Sequence, residues 1–252
     1  MTFDELPKLR GMPSVTAAQM AEVDRIAIED LQIPVDVLME NASRQVAAAA
    51  RAFLGGTVAG TRVIGLVGNG NNGGDAAGAL RHLLNWGARV SAEITGPDDR
   101  MRETTRRQLM RILVATTGET AIVHDASLEG VRDLAADLLI DGLLGYSARG
   151  VPRTPIAALI DLANASHLPI LAVDLPSGID PDSGAAPGTA IRATTTVTLA
   201  LPKTGLLAPR AREYVGDLVL ADIAIPHAAF ERIGLNTWRL FERGDLVRVE
   251  VE

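Results

Sequence analysis

The chain has 252 residues, 47% hydrophobic and 22% charged, with a formal net charge of −7. That length and balance suit a soluble globular protein with a sizeable core, and the acidity argues against a nucleic-acid partner, though not against a small anion held by backbone donors. The chain has no cysteine, which excludes disulfides, thiolate zinc sites and cysteine nucleophiles, and its four histidines (His82, His124, His167, His227) lack the spacing of a transition-metal site.

Residues 1–13 read as a loose leader, without the basic and apolar regions of a secretion signal. No apolar run approaches membrane-spanning length, so a cytoplasmic protein with no membrane partner is expected. Thr16 and Gln19 form a capping box that opens a helix to about residue 30. A second helix is expected over 35–54, with Leu38, Ala42, Val46 and Ala49 on one stripe. A short apolar strand over 62–67 leads into a glycine-rich turn and a helix over 75–86, closed by Gly87.

Further strands are expected over 88–95, 137–141, 168–173, 194–201 and 218–223. Helices are expected over 100–116 and from Thr154-Pro155 to about residue 165. Strands alternating with helices imply a three-layer α/β/α sandwich, Rossmann-like, with a mostly parallel central sheet in a single domain over 1–252.

Ligands of such sheets bind outside the carboxyl ends of the strands. Three polar clusters follow apolar runs. The first is Gly68-Asn69-Gly70-Asn71-Asn72-Gly73-Gly74-Asp75, whose glycines are read as admitting positive φ angles and close approach of a ligand. The helix behind it offers free N–H groups suited to phosphate. It lacks the Lys-Ser/Thr ending of a Walker loop, and an ordinary turn with Asp75 as N-cap is the plainer alternative. The second runs from Asp141 to Val151 and puts a carboxylate at the end of a buried strand, where it needs donors or a cation. Capping of nearby backbone N–H groups is the plainer alternative. The third, Asp174-Leu175-Pro176-Ser177-Gly178, again sets a carboxylate after a strand, and an Asx-type self-bond would explain it equally.

These clusters, in this order, resemble the YjeF N-terminal family, whose members include NAD(P)HX epimerases. Leu38-Met39-Glu40-Asn41-Ala42 resembles the family's N-terminal signature, Asn71-Asn72-Gly73-Gly74-Asp75 its most specific loop, and Asp174 to Gly178 its aspartate–proline–serine turn. Leu201-Pro202-Lys203-Thr204-Gly205-Leu206 resembles a further block, so the likeness spans about residues 14–230.

The resemblance implies an isomerase that interconverts the R and S epimers of hydrated NADH and NADPH in cofactor repair. It implies substrate against Asn71, Asn72, Gly73, Gly74 and Asp75, against Gly145, Tyr146, Ser147, Ala148, Arg149, Gly150 and Val151, and against Asp174. It implies a potassium ion at Asn72, Asp141 and Ser177, an oxygen-rich set suited to such a cation. The resemblance also implies a homodimer, and, with no second domain of the dehydratase kind in the sequence, a separate dehydratase is expected as partner.

Asp174 is the candidate proton carrier. Lys203 is read as an ordinary solvated lysine in preference to a phosphate contact. Ala76 stands where the family usually has glycine, and Asn69 where it commonly has proline. Two rival readings are a non-catalytic dimerising scaffold and a nicotinamide-dependent oxidoreductase. The latter would use Glu93 on the ribose, but no Tyr-x-x-x-Lys pair accompanies it.

Overall fold

A computed structural model describes residues 1–96, 100–115, 121–125 and 136–250. The strands are β1 (Lys8–Leu9), β2 (Arg62–Val67), β3 (Arg89–Ile94), β4 (Ala121–Asp125), β5 (Leu138–Gly142), β6 (Ile170–Val173), β7 (Thr195–Leu199), β8 (Asp217–Ala221) and β9 (Leu246–Val249). The helices are α1 (Ala17–Arg25), α2 (Val35–Phe53), α3 (Asn71–Asn85), α4 (Glu103–Ala115), α5 (Ile156–Ala165), α6 (Arg212–Val215) and α7 (His227–Glu231).

The described strands form one sheet in the order β1-β9-β8-β7-β6-β5-β2-β3-β4. Every pairing is parallel except β8 with β9. Period-two alternation sends side chains to opposite faces. Val63, Val67, Leu138, Ile140, Leu171 and Val173 join Ala42, Val46, Leu80 and Leu83 of α2 and α3 in one core. Their strand neighbours Ile64, Leu66, Leu139, Ile170 and Ala172 pack with Leu159, Ile160 and Ala163 of α5 in another. The three-layer α/β/α sandwich is therefore present, with its central strands buried on both faces.

Several details differ from the sequence reading. Residues 1–13 are not loose throughout: Lys8 and Leu9 pair with Arg248 and Val249. The strands β1, β4 and β9, which lie toward the two edges of the sheet, were not foreseen. The capping box at Thr16 forms as expected, with Thr16 N donating to Gln19 Oε1 at 2.9 Å, and the helix reaches residue 30 as expected, but its last turn, Ile26–Asp30, takes the π form. The helix expected over 100–116 is α4, and position 116 lies outside the described residues.

The chain order reverses between β2 and β5, which lie side by side while their connections run to opposite ends of the sheet. That reversal leaves a crevice above their carboxyl ends.

Candidate active site

The glycine-rich turn after β2 is tighter than expected. Gly70 is the N-cap of α3, so Asn71 to Asp75 lie inside the helix, and Asp75 is not its cap. None of Gly68, Gly70, Gly73 and Gly74 has a positive φ, so conformational freedom is not their purpose. A Cβ on Gly68 would meet Leu143 O at 1.9 Å, and one on Gly73 would meet Gly68 O at 2.0 Å. These glycines let the β2 turn press against the loop after β5 and fold back on itself. Ala76 is fully buried, and its methyl would lie 2.5 Å from a Cβ on Gly142. The alanine thus fills the space beside that glycine. From α4, Thr105 Oγ1 donates to Gly70 O at 2.8 Å and holds the turn in place.

The loop after β5 gathers the second cluster. Asp141 is completely buried. Its Oδ1 accepts from Ser177 Oγ (2.7 Å) and Leu143 N (3.2 Å), and its Oδ2 accepts from Ser177 N (2.8 Å). Backbone capping is thus part of its role. All these donors are neutral, and burial pushes its carboxyl up to about 6 against their opposing pull. Leu144 N donates to Ser177 Oγ at 2.8 Å, and Asn72 Nδ2 donates to Leu144 O at 2.9 Å. Asn72, Asp141 and Ser177, far apart in sequence, therefore meet around the Leu143–Leu144 backbone.

Asp174 follows β6 with φ +66°, an uncommon conformation for a residue with a Cβ. It makes no Asx-type bond. Its Oδ1 instead accepts from Leu199 N at 3.2 Å and from the ammonium of Lys203. Lys203 is 1% exposed and also donates to Leu199 O at 3.1 Å. It is therefore a buried ion-pair partner and not a solvated lysine. A lysine four residues beyond a strand gives no sequence signal of burial, because its depth comes from the parallel bridge between Val15 and Lys203.

A cavity of about 500 Å³ opens at these strand ends, a size suited to part of a dinucleotide. Asn71, Asn72, Asp75, Gly145, Tyr146, Ser147, Ala148, Asp174 and Lys203 line it. Gly73 and Gly74 are buried behind it, and the outer end of the 145–151 loop turns away. Arg149 donates to the carbonyls of Tyr146 and Ala148, at 2.7 and 2.9 Å, and Val151 is exposed. Glu93 is buried in β3 and is not among the lining residues.

Two lining carboxyls were missed or given only a binding role. Asp75 is buried, and desolvation together with the nearby charges of Asp174 and Asp24 holds its carboxyl well above the ordinary range, against Lys203. Asp24 of α1 accepts from the Tyr146 hydroxyl at 2.5 Å. A second cavity, of about 380 Å³, lies beyond β7 and β8 and is lined by His227, Phe230 and Trp238. It contains none of the three clusters.

A doubly covered α/β sheet with buried carboxylates and an ion pair around a cavity at its switch point defines a small-molecule site of the open α/β class. Residues 35–205 match the family of the YjeF-related protein N-terminus, and the chain belongs to it.

Its relatives include the NAD(P)H-hydrate epimerase of Dehalogenimonas lykanthroporepellens, 41% identical over 95% of this chain and 94% of that one. The NAD(P)H-hydrate epimerase of Limosilactobacillus fermentum is 33% identical over 83% and 96%. The bifunctional NAD(P)H-hydrate repair enzyme Nnr of Moorella thermoacetica is 39% identical over 84% of this chain, which spans 40% of that longer protein. In fold the chain is similar to the crystal structure of yeast ynu0, YNL200c, with a TM-score of 0.79 and 22% identity over 94% of this chain and 100% of that one.

Proposed function

We propose that this chain is an NAD(P)H-hydrate epimerase, an isomerase acting on both NADHX and NADPHX in nicotinamide cofactor repair. The carrying observation is the buried Asp174–Lys203 pair, set in a cavity at the sheet's switch point beside the Gly68–Asp75 turn. Full-length relatives named for that activity support the reading. A purely structural scaffold has no use for the buried carboxyls of Asp75 and Asp174 facing one cavity, since each costs desolvation energy.

The substrate carries a hydroxyl on ring carbon 6, next to the ring nitrogen. Inverting that carbon means breaking and remaking a bond to oxygen or to nitrogen, and either route moves a proton. Asp174 carries it. Lys203 and Leu199 N both hold the same carboxylate oxygen and so aim the other one. Positioned acid–base catalysis of this kind accelerates a reaction by roughly 10²–10⁴-fold. Asn71, Asn72 and Asp75 on one side and Gly145 to Ala148 on the other grip the ring and its amide. Gly73 and Gly74 shape the turn from behind, and Arg149 to Val151 hold the outer loop.

Asn72, Asp141 and Ser177 hold a potassium ion. The fit rests on Asp141: its carboxyl is fully buried among neutral donors, with Ser177 Oγ bonded to it and to Leu144 N, and the Asn72 amide held on the Leu144 carbonyl beside them. When bound, the cation supplies positive charge that neutralises Asp141 and ties the three loops together. The protein acts as a homodimer in the cytoplasm, and a dehydratase, separate or fused as in bifunctional relatives, consumes one epimer.

The test is direct. Mixed epimers are supplied with a dehydratase specific for one of them, and loss of the hydrated cofactor is followed. Adding this protein should speed consumption of the other epimer. If that epimer disappears only at its spontaneous rate, the assignment is wrong.

A further inference from the structure

Reading the cavity as an epimerase site, on which this inference rests, leaves one carboxyl without a task. Asp24 belongs to α1, outside the residues that match the family model. That helix is tied to the strand end carrying Lys203. Val15 N donates to Pro202 O and Thr204 N donates to Val15 O, each at 2.9 Å, and Ala17 N donates to Asp182 Oδ1 at 2.6 Å. Thus anchored, the helix turns Met20, Asp24 and Ile28, spaced by four, toward the cavity. Asp24 Oδ2 accepts from the Tyr146 hydroxyl, and the Tyr146 ring stands 5.7 Å from Lys203 Nζ.

We infer that Asp24 is a second proton-carrying catalytic residue, which works with Asp174 on the same substrate carbon. A hydroxyl that leaves one face of the ring and returns to the other needs a proton given on one side and taken on the other. One carboxyl cannot occupy both sides. Asp24 and Asp174 come from different elements, line one cavity, and have different partners. Asp174 faces an ammonium, whereas Asp24 faces a phenol. Pairs of titratable groups in contrasting surroundings are how a site separates its acid from its base.

Burial raises the Asp24 carboxyl above its ordinary range. The Tyr146 hydrogen bond and Lys203 oppose that, and the charge of Asp174 adds to it. Asp75 also faces Asp24, and Arg102 acts on Tyr146 from the cavity lining.

The step balances as follows. Asp24 gives its proton to the C6 hydroxyl oxygen, the C6–O bond breaks as the ring-nitrogen lone pair forms an N=C bond, and water leaves. A water then bonds C6 from the other face while Asp174 takes its proton, and the N=C pair returns to nitrogen. The opposite epimerisation exchanges the two roles, so both directions need one proton on the pair.

The experiment measures epimerisation against pH, with an epimer-specific dehydratase in excess, for the wild type, Asp24→Asn and Tyr146→Phe. Thermal unfolding of each variant checks the fold. Asp24→Asn should lower kcat by roughly 10²-fold with little change in KM, and should abolish the basic limb of the profile. Tyr146→Phe removes a hydrogen bond that favours the charged form of Asp24, so the basic limb should move to higher pH.

A wild-type protein that does not epimerise overturns the underlying activity, and this inference with it. An active wild type with Asp24→Asn within a few-fold of its rate overturns the inference alone. So does a slow Asp24→Asn that keeps the wild-type basic limb, because a merely structural loss scales the whole profile. If Asp24→Asn fails to fold, an unmoved limb in Tyr146→Phe overturns it.

Discussion

Lys203 and Asp174 form an ion pair from which water is almost wholly excluded, with exposures of 1% and 4%, at the mouths of two neighbouring parallel strands. Each oxygen and proton of such a pair needs a partner. Leu199 supplies two, its N–H to Asp174 and its carbonyl to Lys203. A pair so placed gains little stability over a hydrophobic substitute, but losing one member leaves an uncompensated charge.

Lys203→Met should therefore destabilise the fold by about 3–5 kcal/mol, read from urea unfolding. Combining it with Asp174→Leu should cost less than the two single changes added together, because the double variant leaves no orphaned charge. Strict additivity would mean that the two groups do not depend on one another.

Asp174→Asn keeps the size of the side chain and an acceptor but cannot cycle a proton. Turnover should fall by roughly 10²-fold or more, with KM changed far less. A rise in KM at unchanged kcat would make Asp174 a binding residue, and the proton would then have to be carried elsewhere.

Asp75 gives a pH-dependent signature in stability. Its carboxyl in the folded protein lies well above the 3.8 of the free side chain, so the folded state binds the proton more tightly than the unfolded state. Its contribution is favourable at low pH and is lost as pH rises from near 3.8 through the folded value. Asp75→Asn removes that dependence. Its unfolding midpoint should exceed that of the wild type at pH 8, and the gap should narrow steadily toward pH 4. A gap independent of pH would show that the carboxyl keeps its ordinary affinity for the proton.

Potassium should raise the melting temperature in proportion to the logarithm of its concentration once the site saturates, as any ligand of the folded state does. Choline at equal ionic strength should not. In Asp141→Ala the potassium response should vanish. An identical response in that variant would place the ion, if one binds, at other residues.

Gly68→Ala tests the packing of the β2 turn. Its new methyl would fall on the carbonyl of Leu143, a backbone atom that cannot swing aside. Destabilisation of at least about 1–3 kcal/mol is expected. Gly70→Ala, with nothing within 4 Å of the added carbon, should cost less, about 0.5–1 kcal/mol for the poorer N-cap alone. Equal effects at both positions would mean that the turn is looser than its geometry.

The α/β alternation, the parallel sheet and the three polar strand ends are legible in the residues themselves. Hydrophobic periodicity and turn chemistry are local properties, and strand ends are where such a sheet must expose its ligands. Asp141, Asp174 and the Gly68–Asp75 turn could be named for that reason. Lys203 and Asp24 could not. The first is buried because a bridge to Val15 draws its strand end under α1, and the second faces the cavity because that same bridge sets the rotation of α1.

The glycines show the same division. Composition marks the turn as glycine-rich, yet the reason for Gly68 is a carbonyl from Leu143, seventy-five positions away along the chain. Composition, pattern and motif thus determined the class of fold and the edge where its chemistry lies. Which side chains are deprived of water there, and so which become acid, base or ion-pair partner, was decided only by contacts between segments distant in sequence, because desolvation depends on every neighbour at once.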